Sequence, residues 1–259
     1  MYHDHREIVL VSPRNPLNIG AAARAMANFG FSRLTVVAPY EEHWREAKSA
    51  IGSEKLLQNA KSAEHLADAV ADCTLVIGTA SLTRRKPEQP VASLPDLPPI
   101  VQRELDRGGR IALVFGSEKR GLSREDLSHC HLLVTIPTDS RQPSMNLGQA
   151  VAVCLYELCA RPNALRASGD VEPDPAQADP QTEDDPPASA RDLEILTAVV
   201  EETMRAANYS PSIMRKANRH DMHLLLRRLT LSSRDTRRIL GLFRRILWQL
   251  QNRAGQSNK

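Results

Sequence analysis

The sequence predicts an α/β protein, a mostly parallel sheet with helices on both faces, followed by a small all-α region. Three observations predict this. In the first 160 residues short β-branched runs alternate with helical patterns. Those runs are continuously apolar, as in strands covered on both faces. Residues 191–259 carry three amphipathic patterns of helical spacing.

Taken in order, Ile8-Val9-Leu10-Val11 reads as the first strand. Residues 18–29 are Ala-rich and read as a helix, with Gly30 as the left-handed residue that ends it. Residues 34–38 form a second strand, stopped by Pro39. Residues 54–71 read as a helix. The third, fourth and fifth strands are expected at 75–78, 111–115 and 132–136. Residues 146–158 make a helix with an apolar face. In the tail, Leu193, Leu196, Val199 and Val200 form one stripe, Leu224, Leu225 and Leu229 a second, and Ile239, Leu242, Ile246, Leu247 and Leu250 a third.

Residues 165–190 break this pattern. They are rich in proline and acid and hold almost no large apolar side chain, so they cannot bury enough surface to offset ordering entropy. The expected organisation is therefore an α/β domain over 1–164, a disordered linker over 165–190, and a basic helical domain over 191–259. Charge follows these boundaries. Residues 191–259 hold 14 Lys and Arg against 6 Asp and Glu, whereas 166–190 hold 1 Arg against 7 acids. A basic tail behind an acidic linker points to a polyanionic partner, with a solvated helical surface as the plainer alternative.

With 41% apolar and 25% charged residues, the composition is that of a globular protein rather than a membrane or disordered one. No run approaches the roughly 20 apolar residues of a membrane span. The acid-containing N-terminus does not resemble a signal peptide, so the chain is expected to be cytoplasmic. The four cysteines form no C-x-x-C pair. Cys130 lies between His129 and His131, but neighbours on an extended chain point to opposite faces, so no metal site is expected.

Three segments at carboxyl ends of strands stand out, the edge where open α/β sheets bind ligands. The first is Asn15-Pro16-Leu17-Asn18-Ile19-Gly20-Ala21-Ala22-Ala23-Arg24, small residues opening a helix whose N-terminus attracts anions. Its single glycine does not make a dinucleotide loop, which disfavours an oxidoreductase. The second is Gly116-Ser117-Glu118-Lys119-Arg120-Gly121, a loop in which Glu118 is open to three readings: a general base, an anchor for Arg24, or a loop carboxylate. The third is Ile136-Pro137 with Ser144-Met145-Asn146-Leu147-Gly148, where Ser144 or Asn146 caps the next helix or faces a ligand.

Together, in this order and spacing, the segments N-x-G-A-A-A-R, G-S-E-x-x-G and I-P…S-M-N-L-x-x-A-V resemble the three motifs of the TrmH branch of the SPOUT superfamily of RNA 2′-O-methyltransferases. The resemblance covers about residues 7–160. The tail, through Leu226-Arg227-Arg228-Leu229 and Leu242-Phe243-Arg244-Arg245-Ile246-Leu247, is similar to the C-terminal extension of the TrmJ type. The resemblance implies a C-terminal trefoil knot, S-adenosylmethionine as cofactor, a homodimer, and tRNA ribose methylation at nucleotide 32 of the anticodon loop. It implies a cofactor pocket of Thr79, Ala80, Ser81, Gly116, Ile136, Ser144, Met145 and Asn146. Arg24 matches the catalytic arginine, supported by Asn18 and Glu118, with Ser144 near the methyl acceptor. RNA contacts are expected from Arg84, Arg85 and Lys86, from Lys119 and Arg120, and from the basic tail. Arg141-Gln142-Pro143 departs from the family in lacking an aromatic residue, and Met145 stands in place of a leucine. A ribosomal RNA methyltransferase of the same family and a non-catalytic RNA-binding protein are the alternatives.

Overall fold

The computed structural model describes residues 5–81, 87–160, 185–209 and 212–256. Its centre is a seven-stranded sheet of β1 (Arg6–Val11), β2 (Arg33–Val37), β3 (Lys61–Ala63), β4 (Leu75–Thr79), β5 (Val91–Ser93), β6 (Ile111–Phe115) and β7 (Leu132–Thr135). The order is β3-β2-β1-β6-β4-β7-β5, and each ladder is parallel. The five expected strands are all present. The short edge strands β3 and β5 are additional.

Side-chain alternation divides the core into two layers. Ile8 and Leu10 of β1 face one side with Ile77, Leu113 and Phe115. Val9 and Val11 face the other with Val76, Ala112 and Val114. The first layer is covered by α1 (Pro16–Asn28), α4 (Leu97–Asp106) and α6 (Leu147–Leu155), through Met26, Val101 and Val151 among others. Pro16 at the first helical position and the Asn15 side chain, which accepts from the Leu17 N–H at 2.9 Å, start α1. Gly30, at φ +75°, follows its end.

The single helix expected over 54–71 does not exist. The chain makes α2 (Glu54–Gln58), then β3, then α3 (Leu66–Ala69). The reason lies in the two-sided sheet. Leu57 belongs to one core layer, whereas Leu66 and Val70 belong to the other. The chain crosses from face to face around the sheet edge, and β3 pairs with β2 on the way. Apolar spacing alone resembled one amphipathic stripe because both halves are helical.

Beyond α5 (Arg124–Ser128), the tail forms α7 (Ala190–Ala206), α8 (Arg215–Arg228) and α9 (Ser233–Gln256). Ser189 and Asp192 make a reciprocal capping box at the start of α7. Leu193, Leu196, Val200 and Leu226 form a separate small core. Much of the expected linker lies outside the described residues, but its last residues are ordered. The Ala188 N–H donates to the Leu231 carbonyl at 2.9 Å, and the Ser233 N–H to that of Pro186 at 2.8 Å. Here prolines and an acid act as a strap across the start of α9, with Asp185 accepting from the Arg234 N–H at 2.9 Å.

The tail is seated on the α/β domain. The Ala190 N–H donates to the Cys73 carbonyl at 2.8 Å and the Arg191 N–H to that of Ala71 at 3.0 Å. A polar node reinforces the contact. Glu194 of α7 accepts from the Arg227 guanidinium at 2.8 Å and lies 3.1 Å from His129 Nδ1 and 3.3 Å from His223 Nε2. Burial alone would raise the Glu194 pKa, but hydrogen bonds with His129, His223 and Arg227 hold it well below the usual carboxylate range. Among the described residues no helix is long and apolar enough to cross a membrane.

A candidate RNA-modification site at the carboxyl edge

The parallel sheet sends the ends of β1, β6, β4 and β7 to one edge, and the three sequence segments meet there. Glu118 links the first two. Its oxygens accept from the Asn18 amide at 2.7 Å, the Arg14 N–H at 2.9 Å and the Asn15 N–H at 3.2 Å. Asn18 then links the third, because its oxygen accepts from the Asn146 amide at 2.8 Å. Asn146 caps α6, its oxygen accepting from Gly148 N–H at 2.9 Å and Gln149 N–H at 3.4 Å. One chain of hydrogen bonds, Glu118 to Asn18 to Asn146, thus ties together residues about 100 positions or more apart in sequence.

This geometry decides between readings that the sequence left open. Asn146, not Ser144, is the residue whose side chain caps α6. Glu118 anchors Asn18 and the loop before α1; it is not bonded to Arg24. Burial would raise its pKa, but the Asn18 amide and the backbone N–H groups of Arg14 and Asn15 outweigh that and lower it. A carboxylate already holding three donors, with a lowered pKa, is poorly suited to take a proton.

The residues assigned to a cofactor fall on neighbouring strand ends. Thr79 closes β4, and its hydroxyl donates to the Val114 carbonyl at 3.0 Å. The Ala80 N–H donates to the Val134 carbonyl at 3.0 Å. Gly116 follows β6 and Ile136 follows β7, the two strands that flank β4. Met145 is half-buried in the loop before α6, while Ser81 and Ser144 are exposed. Arg24 is exposed on α1, and its side chain bonds to no described residue. Arg84, Arg85 and Lys86 lie outside the described residues. Lys119 and Arg120 are exposed and line a pocket of about 740 Å³ with Arg14 and Tyr40, two residues that motif reading missed. Arg14 directly precedes the helix-starting Asn15-Pro16, but nothing in the sequence pairs it with Tyr40. His129, Cys130 and His131 diverge: His129 meets Glu194, the Cys130 thiol turns into the core, and His131 Nδ1 accepts from the Val76 N–H.

Two glycines hold the edge compact. A Cβ on Gly116 would overlap the Gly121 carbonyl carbon and the Leu122 nitrogen, and Gly121 itself sits at φ +65°. Because the obstruction is backbone, Gly116→Ala must reopen the turn closed by the Gly121 N–H to Ser117 carbonyl bond. Its expected effect is loss of donor binding by at least tenfold in calorimetry, with a destabilisation of roughly 1–3 kcal/mol. Unchanged donor affinity would show that the turn does not shape the pocket.

Comparison with known proteins identifies the family. Residues 5–156 match the SpoU rRNA Methylase family. A tRNA (cytidine/uridine/adenosine-2′-O-)-methyltransferase TrmJ of Pseudomonas aeruginosa is 38% identical over 156 residues, and the chain spans 60% of that relative's length. A tRNA (cytidine/uridine-2′-O-)-methyltransferase TrmJ of Pectobacterium atrosepticum is 30% identical over 254 residues, covering 96% of this chain and 97% of that protein. The crystal structure of TrmJ from Z. mobilis ZM4 superposes with a TM-score of 0.77 at 26% identity, over 93% of this chain and 98% of that one. From its motifs, its parallel sheet and these matches, the chain belongs to the SpoU methylase family.

Proposed function

We propose that this protein is an S-adenosylmethionine-dependent tRNA ribose 2′-O-methyltransferase that modifies nucleotide 32 of the anticodon loop. The observation that carries the reading is the hydrogen-bonded chain from Glu118 through Asn18 to Asn146, which gathers the three family motifs at one sheet edge. The matched relatives named for tRNA 2′-O-methylation, one of them aligned over nearly the whole chain, support the substrate class.

The residues present fit the donor. Ala80, Ile136 and Met145 are partly buried and offer apolar walls, and Gly116 lets main chain approach closely. When bound, S-adenosylmethionine supplies an electrophilic methyl group and a neutral thioether leaving group. The chain's own residues deal with the nucleophile, a weakly acidic 2′-hydroxyl. Arginine keeps its proton at neutral pH, so Arg24 acts as a cation: it holds the neighbouring phosphate and stabilises developing alkoxide charge. Ser144, exposed beside Met145, relays the proton toward phosphate or water in this reading. Asn18, Glu118 and Asn146 keep the loops in register, so that much of the acceleration comes from positioning.

Two structural proposals accompany this one. The strand order supports the trefoil knot, because β7 lies between β4 and β5, strands consecutive in sequence. A second copy of the chain would cover Leu17 of α1 with Val153 of α6 and adjacent Tyr156, apolar side chains left exposed. The basic tail extends the RNA-binding surface, and the cytoplasm, where tRNA is, is the expected compartment. Mapping methylated ribose in tRNA from cells lacking the gene tests the reading: loss of 2′-O-methylation at nucleotide 32 is expected. Intact tRNA with a missing rRNA methyl group would overturn it.

A further inference from the structure

The pocket of about 740 Å³ beside this edge is lined by none of the residues proposed to hold the donor. It is built by the ends of β1, β2 and β6, which the sheet order sets side by side. Two non-glycine residues in left-handed conformation, Ser12 at φ +48° and Ala38 at φ +43°, turn the chain at its mouth. The Ser12 N–H donates to the Val37 carbonyl at 2.8 Å and the Tyr40 N–H to that of Pro13 at 3.1 Å. These bonds lay Arg14 over the Tyr40 ring, 4.9 Å from its centroid. Tyr40 nevertheless remains 67% exposed.

The lining is cationic. Arg14, Lys119 and Arg120 stand against one acid, Asp126, whose carboxylate accepts from the Ser123 N–H at 2.8 Å. The nearby Glu118 is turned toward the N–H groups of Arg14 and Asn15 and the Asn18 amide. An exposed aromatic ring among cations is the chemistry of single-stranded nucleic acid: the cations take phosphate and the ring stacks a base. The volume lies within the roughly 300–1,000 Å³ of small-ligand sites and has room for one nucleotide. The Gly116–Gly121 loop walls both this pocket and the proposed donor site, so the two are neighbours.

We propose that this pocket is a subsite for the nucleotide adjoining the methylated one in a single-stranded loop of the substrate RNA. Its base stacks on Tyr40, and its phosphate is held by Arg14, Lys119 and Arg120. The proposal rests on the reading of the chain as an RNA methyltransferase and adds Tyr40 and Arg14 as determinants of substrate binding.

The test uses the full chain, an unmodified tRNA transcript and a short single-stranded oligonucleotide. Tyr40→Ala is expected to raise KM for tRNA and Kd for both RNAs by roughly 5- to 150-fold, the range of one stacked base. Its kcat, donor affinity and Tm should stay within twofold or one degree or so, about the scatter of a surface change. Tyr40→Phe should bind like wild type, because stacking needs the ring and not the hydroxyl. Arg14→Ala should weaken binding and flatten its salt dependence by about 0.7 in the log–log slope, the value for one single-strand phosphate. Wild-type RNA affinity in Tyr40→Ala overturns the subsite, as does equal damage in Tyr40→Phe. If wild type methylates no tRNA, the catalytic reading fails, while oligonucleotide affinities of the same variants still decide the pocket.

Discussion

Arg24→Ala is expected to lower kcat for methyl transfer by about 10²- to 10³-fold, the range for removing one transition-state charge stabiliser. Donor affinity by calorimetry and Tm should be unchanged. The contrast follows from where Arg24 sits. It is exposed on α1 and bonds to no described residue, so its loss removes nothing the fold uses. The neighbouring framework, Glu118 with Asn18 and Asn146, does not include it and should persist in the variant. Arg24→Lys should recover only part of the rate, because a point charge replaces a two-pronged planar contact. Single-turnover transfer at saturating tRNA checks this. Wild-type turnover in Arg24→Ala would remove Arg24 from the mechanism.

Glu194→Ala carries the largest expected cost in stability, about 3–5 kcal/mol, the range for breaking a buried ion pair from one side. The Arg227 side chain is only 1% exposed, and Glu194 is the acid that pairs with it. Removing Glu194 leaves a guanidinium buried beside two histidines. The two tryptophans allow localisation, since Trp44 is buried in the α/β domain and Trp248 lies on α9. In single-tryptophan forms, urea unfolding followed at Trp248 should shift to lower denaturant more than that at Trp44. Equal midpoints for Glu194→Ala and its parent would show that the node does not hold the tail. Acid should act in the same direction. The Glu194 pKa is depressed, so its contribution is complete above the ordinary value of about 4.5 and is lost as pH falls below it. The His223 pKa is lowered by burial, partly opposed by Glu194, so its contribution is complete above about 6.5 and also fades on acidification. The tail should therefore loosen as pH drops below 6.5, and the sheet loses stability in the same window because burial pushes the His131 pKa down to about 3.

Particular residues show which features could be read from the chain alone. Asn15-Pro16 marks the start of α1, and Gly30 marks its end, because cap and turn preferences are local. The five long apolar runs became strands because burial on both faces demands just such runs. The edge strands β3 and β5 are three residues each and partly exposed, and they carry no such signal. The last linker residues, 185–189, looked unstructured by composition, yet backbone bonds to residues 231–234 order them.

The chain's local chemistry determined the parallel α/β class, the three helical segments of the tail and the motifs that identify the family. Periodicity, capping and glycine placement act over a few residues and survive in a linear reading. Only the tertiary structure decided that Glu118 holds Asn18 rather than Arg24, that residues 54–71 straddle the sheet, and that Tyr40 meets Arg14 beside Lys119. Each of those depends on strand order bringing distant segments together, and parallel pairing through crossovers leaves that order unwritten in any local pattern.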